Sequence, residues 1–435
     1  MEIAVGQQAR EFIPRNYDIF AGLDVDKTSI SVSILTHEHA VKSMKIPNDA
    51  NNLIGYMRRN FPDQKVAFAY EAGPTGWGLY DQLAKQGHTC LVVTPSMVPT
   101  APGARVKTNR IDSKKIAESL RGGQLKSIHV PSPLYRQLRH LIHLRDAAVR
   151  QATQAKLRIK AMLLFEGIAF PEAPQGGAQW SHQVTVKLKG LPCQGAVRFK
   201  LDELLGNLEF VQGQTLRTMK EIRRYCTQEQ ELKRYIGFLT TIPGIGWITA
   251  SHLLARIGDP KNIQNVRQLG CFLGLTQRED STGDNVNRGS ITRYGDSRLR
   301  NKLIQAAWAA IRKDLELQEF HQRIYQRQPK EKAAKIAIVA VARKMTTRIY
   351  AVLHQERNYE IRHQISSDPL TQEETIRPRE RLEHRQNQEN LDSPDGSTER
   401  QRSRGILSQA NSGRLAQQKL TKSGDTLEGT HLKIV

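Results

Sequence analysis

Asp18-Ile19-Phe20-Ala21-Gly22-Leu23-Asp24-Val25-Asp26-Lys27-Thr28-Ser29-Ile30-Ser31-Val32-Ser33-Ile34-Leu35-Thr36 reads as one or two β-strands. Ile30, Val32 and Ile34 alternate with serines, the period of a strand with one buried face. Ala40–Ile46 can pair with it as the next strand of a meander. The pattern then changes. Residues 50–60 read as helix, Lys65–Tyr70 as a short buried strand, Thr75–Gln86 as a helix ended by Gly87, and Thr89–Val93 as a strand bounded by Pro95.

Three antiparallel strands followed by alternating helices and strands make an α/β layer of the ribonuclease-H-like kind. Acidic residues fall at telling places in it. Asp24 lies in the first strand, Glu71 ends the apolar run Val66–Tyr70, and Asp112 opens a helix-like segment after Lys107-Thr108-Asn109-Arg110-Ile111. Asn109 and Asp112 stand at i and i+3, one face of a helix. Carboxylates gathered on a basic protein point to a magnesium site acting on phosphodiesters, because hard oxygen ligands suit that ion. Asp26 is a spare carboxylate that is set aside, since alternation turns it from the face of its immediate neighbour.

From Pro133 to Phe165 the leucines keep helical spacing, and Phe199–Phe238 resumes that pattern after an interruption rich in Gly, Pro and Gln at 166–200. Two such helices fit an antiparallel arm or a coiled coil, although the heptads are imperfect. The expected organisation is an N-terminal extension at 1–17 and an α/β domain at 18–130. A helical arm follows at 131–238, a mostly helical C-terminal domain at 239–360, and a low-complexity disordered tail at 361–435.

The 435 residues carry a formal net charge of +22. Residues 361–435 hold 12 Lys/Arg against 11 Asp/Glu, so the basic excess belongs to the part expected to fold. A basic folded body favours a polyanion, because neutralised phosphates release counterions. The four cysteines (Cys90, Cys193, Cys226 and Cys271) form no C-x-x-C pair, which argues against a zinc site or a disulfide framework. Met1–Arg15 has no signal-peptide pattern and no run approaches the length of a membrane span. The expectation is a soluble cytoplasmic protein associated with the nucleoid.

Two further motifs stand downstream. Leu239-Thr240-Thr241-Ile242-Pro243-Gly244-Ile245-Gly246-Trp247-Ile248-Thr249-Ala250 reads as a helix-hairpin-helix. Gly244 and Gly246 would let backbone N–H groups approach a phosphate at a helix N-terminus; the bland alternative is a tight turn whose glycines serve packing alone. Gly274–Gly283 and Arg288–Asp296 form a polar stretch with adjacent hydroxyls at Ser281 and Thr282. Such hydroxyls can supply a nucleophile for phosphoryl transfer, although most in glycine-rich loops only form turns.

In this order the motifs resemble the DEDD transposases of the insertion-sequence-110 family, relatives of the Piv invertases. The likeness runs over about residues 18–355 and is carried by Gly22-Leu23-Asp24-Val25, Tyr70-Glu71-Ala72-Gly73-Pro74, Lys107–Asp112, Ile242–Gly246, Gly274-Leu275-Thr276 and Ser281-Thr282-Gly283. The resemblance implies a RuvC-like N-terminal domain, a helical arm and a C-terminal transposase domain. It implies Mg2+-dependent cleavage and rejoining of donor and target DNA, directed by an element-encoded guide RNA, in a homo-oligomer (dimer or tetramer) that shares composite sites. Carried over, the metal ligands are Asp24, Glu71, Asn109 and Asp112, and the nucleophile is Thr282, with Ser281 second. Lys107, Arg110, Gly244, Gly246, Arg288 and Arg293 are the nucleic-acid-binding candidates. The chain departs from the family at Asn109, where the pattern has Asp, and at Thr282, where it has Ser.

Two rivals follow from the same residues. A degenerate relative would bind DNA or RNA without cutting it. An actin-like or sugar kinase would use Gly22–Thr28 as a phosphate motif, but no second glycine-rich acidic loop follows.

Overall fold

The computed structural model describes residues 12–99, 109–279, 281, 282, 285, 287–292 and 295–360. The stretch up to residue 11 and the tail expected from 361 lie outside the described residues.

The meander forms the antiparallel half of a sheet: β1 (Ile19–Val25), β2 (Ser29–Leu35) and β3 (Ala40–Pro47). β4 (Val66–Glu71) and β5 (Thr89–Val93) add in parallel beyond β1, giving the order β3-β2-β1-β4-β5. Parallel neighbours need crossovers, and α1 (Ala50–Asn60) and α2 (Gly78–Lys85) supply them. The α1 N-terminus is closed by Asp49, whose carboxylate accepts from the Asn51 N–H at 3.0 Å. The α2 helix starts at Gly78 rather than Thr75 and stops before Gly87, which adopts φ +81°.

Alternation assigns the two faces. Ile19, Ala21 and Leu23 of β1 join Val66, Phe68 and Tyr70 of β4 in a core with α1 and α2. Phe20, Ala67, Ala69, Leu91 and Val93 face the other way, against Ile116, Ala117 and Leu120 of α3 (Asn109–Arg121). Phe12 and Tyr17 stack at 5.2 Å and pack on this second core.

Two long helices, α4 (Pro133–Phe165) and α6 (Gly195–Gln228), run antiparallel. At one end Tyr135, Leu138 and Ile142 share a core with Ile222 and Cys226. At the other, Ala155, Ile159 and Met162 meet Leu201, Leu205 and Leu208. The Gly- and Pro-rich interruption closes over this far end. Val184 and Leu188 of α5 (His182–Lys189) are buried there, with Ile168, Phe170 and Trp180 packed beside them. The second helix of the arm is broken where the sequence pattern runs on: Glu229 is extended (φ −85°, ψ 109°) and α7 (Gln230–Thr240) begins after it.

The C-terminal region is mostly helical, with α8 (Trp247–Ile257), α9 (Val266–Phe272), α10 (Ser297–Ala310), α11 (Leu315–Gln326) and α12 (Lys330–Gln355) around one core. Arg348 and Asp314 form a buried ion pair at 2.5 Å, and Asp314 also caps α11 by accepting from the Leu317 N–H at 3.0 Å. Such a pair organises geometry more than it adds net stability. Among the described residues no helix is long and apolar enough to cross a membrane.

Candidate functional site

β1 and β4 are parallel neighbours with Leu23 opposite Tyr70. Asp24 and Glu71 are the next residue on each strand, so they stand side by side at the same end of the sheet. Both belong to the parity that leaves on the α3 face. Gly22 sets how close α3 comes. A Cβ there would lie 2.2 Å from the Ser113 carbonyl oxygen and 2.3 Å from the Ala117 nitrogen, so only glycine admits the contact. The Ser113 hydroxyl meets that of Ser33 at 2.9 Å and fixes the crossing from β2. As a result the first turn of α3, with Asn109, Arg110 and Asp112, lies over the end of β1.

Asp24, Glu71 and Asp112 are half-buried, and Asn109 and Arg110 are exposed. Asp112 lies 3.9 Å from the Lys115 ammonium. Asn109 donates its amide N–H to Asp26 at 2.7 Å. Asp26, set aside from the sequence, thus stands beside Asn109; it lies just past the end of β1 at Val25, where strand alternation no longer fixes the direction of a side chain.

Among the described residues, the His, Cys, Asp and Glu side chains form no group of three placed to hold a metal ion. Asp112 is paired with Lys115, and Asn109 is engaged with Asp26. The donors at this end of the sheet are nonetheless carboxylate and amide oxygens, the chemistry that suits a hard divalent cation.

The two hydroxyl candidates sit on a different element. The stretch read as a loop is a hairpin, β6 (Gln277–Glu279) paired with β7 (Arg288–Ile291). Thr282 continues it, exchanging backbone bonds with Asn285 at 3.1 and 3.2 Å. Ser281 and Thr282 are both exposed. The Ser281 hydroxyl donates to Glu279 Oε1 at 3.2 Å, so a carboxylate stands where it can accept the proton.

The two glycines of the turn between α7 and α8 divide the work. Gly244 has φ +86°, and a Cβ on it would lie 2.1 Å from the Ala306 carbonyl oxygen of α10, so it serves packing. Gly246 precedes α8 with open space around it. Trp247, given no role of its own in the sequence reading, opens that helix with the Arg223 guanidinium 5.9 Å from its ring. Arg288 lies on β7. Lys107 and Arg293 fall outside the described residues.

The sheet and the helical region each have counterparts in known proteins. Residues 21–166 match a transposase family model, that of the DEDD transposases of IS110. Residues 237–322 match the transposase IS116/IS110/IS902 family. The chain belongs to the IS110 family of transposases. It is 33% identical over 251 residues to a putative transposase of Sinorhizobium fredii, covering 56% of this chain and 58% of that protein. It is 24% identical over 340 residues to a probable family 20 transposase of Pseudomonas aeruginosa, covering 78% and 97%. A pilin gene-inverting protein of Moraxella bovis is 35% identical over 139 residues, 32% of this chain and 42% of that protein. The match thus spans less than two thirds of the Sinorhizobium protein and nearly all of the Pseudomonas one. Family membership leaves the kinase reading without support.

Proposed function

We propose that this protein is a DNA transposase whose ribonuclease-H-like sheet carries a Mg2+ site and whose hairpin carries the nucleophile. The observation that supports it most is the convergence of Asp24, Glu71 and the first turn of α3 at one end of the sheet, a convergence that Gly22 makes possible. Asp24, Glu71, Asn109 and Asp112 would hold the ion. When bound, the ion supplies charge neutralisation at a phosphoryl oxygen. Asn109 brings a neutral amide oxygen where the family has a carboxylate, so the site has one less negative charge to bind with. Asp26 lies within reach of Asn109 and restores acidity nearby.

The chemistry is a transesterification. A hydroxyl Oγ on the hairpin attacks phosphorus, the Oγ–P bond forms, and the ester bond to the leaving strand breaks. The hydroxyl proton passes to a nearby acceptor, which for Ser281 is Glu279. The covalent link conserves the bond energy for rejoining. Thr282 matches the family's position and Ser281 has the positioned acceptor. The two helices around Gly246 act as a helix-hairpin-helix that offers N–H groups to a phosphate. An element-encoded RNA would choose the target. A homo-oligomer would bring the sheet of one protomer to the hairpin of another.

Trapping tests the reading. Incubated with donor DNA, target DNA, guide RNA and Mg2+, the protein should yield a denaturant-stable protein–DNA adduct. Loss of both hydroxyls should abolish the adduct, whereas Asp24→Ala should abolish it with the hydroxyls intact. An adduct that survives the double hydroxyl variant sinks the nucleophile assignment. Nucleic-acid binding with no cleavage by the wild-type protein would instead favour the degenerate binder, for which Asn109 is the motivating residue.

A further inference from the structure

On elements other than those of the acidic site, α4, α8 and α10 meet around a charged cluster with an excess of cations. Asp146 of α4 is 7% exposed and accepts from the Arg145 guanidinium at 3.0 Å. Its two oxygens also face His252 Nε2 of α8 at 3.5 Å and the Arg298 guanidinium of α10 at 3.7 Å. The second carboxylate, Asp296, caps α10 by accepting from the Arg298 and Leu299 N–H groups at 2.9 and 3.3 Å, and it lies 3.6 Å from Arg256 Nε. Lys302, one turn along α10, completes the group.

Four cations, Arg145, Arg256, Arg298 and Lys302, therefore share two carboxylates, one of them already spent on a helix cap. Charge shielded from water needs compensation; Arg145 is 17% exposed and Arg256 39%, and the two carboxylates offset the four cations only in part. The nitrogens show it: Arg145 Nε, Arg256 Nε and His252 Nε2 are all buried without a hydrogen-bond partner. The His252 side chain is only 4% exposed, so its Nε2, 3.5 Å from Asp146 and without a hydrogen bond, points into the cluster rather than to water. The surroundings resist more positive charge. Burial first, then Lys302, hold His252 down at about 4, and burial followed by Arg145 lowers Lys302 below the usual lysine range. Arg298 keeps 40% of its side chain exposed and gives the cluster an opening to the surface.

We propose that this junction is a seat for a backbone phosphate of nucleic acid, gripped by Arg298 and Lys302 with Arg145 and Arg256 behind them. A phosphodiester supplies the missing negative charge and several acceptor oxygens, and guanidinium groups match its geometry. The seat rests on the reading of this protein as one that acts on nucleic acid. It adds a second contact region, on the helix that follows the hairpin.

The test compares Arg298→Gln and Lys302→Gln with Lys335→Gln, an exposed α12 position that removes the same charge elsewhere. Binding of the full-length chain to a 30-base-pair DNA duplex and to a 30-nucleotide single-stranded RNA is measured across a salt series. Thermal unfolding checks that each variant folds. The junction variants should each weaken binding roughly fivefold to tenfold at 0.1 M salt and reduce the salt slope by about one. Lys335→Gln should do less on both counts. A loss confined to DNA or to RNA identifies the occupant, and a loss on both indicates phosphate shared by the two. Equal weakening by the junction variants and Lys335→Gln overturns the seat while leaving the proposed function standing. A wild-type protein that binds neither polymer overturns both.

Discussion

The end of the sheet and the α4–α8–α10 junction are opposites. One gathers Asp24, Asp26, Glu71 and Asp112 at the tips of adjacent strands and the first turn of a helix. The other gathers Arg145, Arg256, Arg298 and Lys302 around two carboxylates that do not balance them. Under the proposed function the first would take a cation and the second an anion, and a phosphodiester chain with its counter-ion needs both, so one polypeptide would separate chemistry from grip. The acidic end owes its shape to close backbone packing, whereas the basic end owes its shape to long side chains.

The largest expected effect lies at the acidic end. Asp24→Asn should reduce Mg2+-dependent strand cleavage by about three orders of magnitude, since loss of metal charge stabilisation costs several kcal/mol of barrier. Nucleic-acid affinity should change little, and a parallel loss of both would erase the division of labour. Next come the two packing glycines. Gly22→Ala and Gly244→Ala should each cost about 3 kcal/mol or more in denaturant unfolding, because the added Cβ meets backbone atoms at 2.1–2.3 Å. Either variant unfolding like the wild type would show that the close approach is not needed.

The junction gives a pH signature of intermediate size. His252 is pushed down to about 4 in the folded chain, chiefly by burial, against an ordinary value near 6.5. The unfolded chain therefore binds the extra proton between these values. Stability is fully present above about pH 6.5 and falls as the pH drops toward 4, by about 2–3 kcal/mol from this residue alone. Unfolding of His252→Gln across that window should show a flatter slope than wild type. The smallest effect is at Gly246→Ala, expected to change stability by under about 0.5 kcal/mol because the space around it is open. Any larger loss in DNA affinity than in stability would mark the α8 N-terminus as a contact.

The strands were legible because alternation is a local signal: Ile30, Val32 and Ile34 against serines specify one buried face without reference to anything distant. Asp26 was not legible by that rule, because β1 ends at Val25 and the contact with Asn109 depends on where α3 lies. The packing role of Gly244 was not legible. It depends on Ala306, some sixty positions away on α10, and a Pro-Gly-Ile-Gly turn reads the same whether its glycines meet a helix or a phosphate. The hairpin at 277–291 hid because its strands are only three and four residues long, too short for a period to show. The cationic junction is a tertiary fact. Arg145, His252 and Arg298 belong to three helices, and nothing in the spacing of any one announces the others.

The arm gives the molecule a long lever. At 1.5 Å per residue, the 33 residues of α4 make a rod of about 50 Å. One end of that rod is rooted in the core of the helical region, and the other carries the small core closed by α5. Asp146 sits near its middle, so the rod passes through the cationic junction. A tilt of about 5° about the root moves the far end by roughly 4 Å while shifting the junction about half as much. A displacement of the tip is thus roughly halved at the charged cluster, where ångström-scale changes separate an ion pair from a broken one.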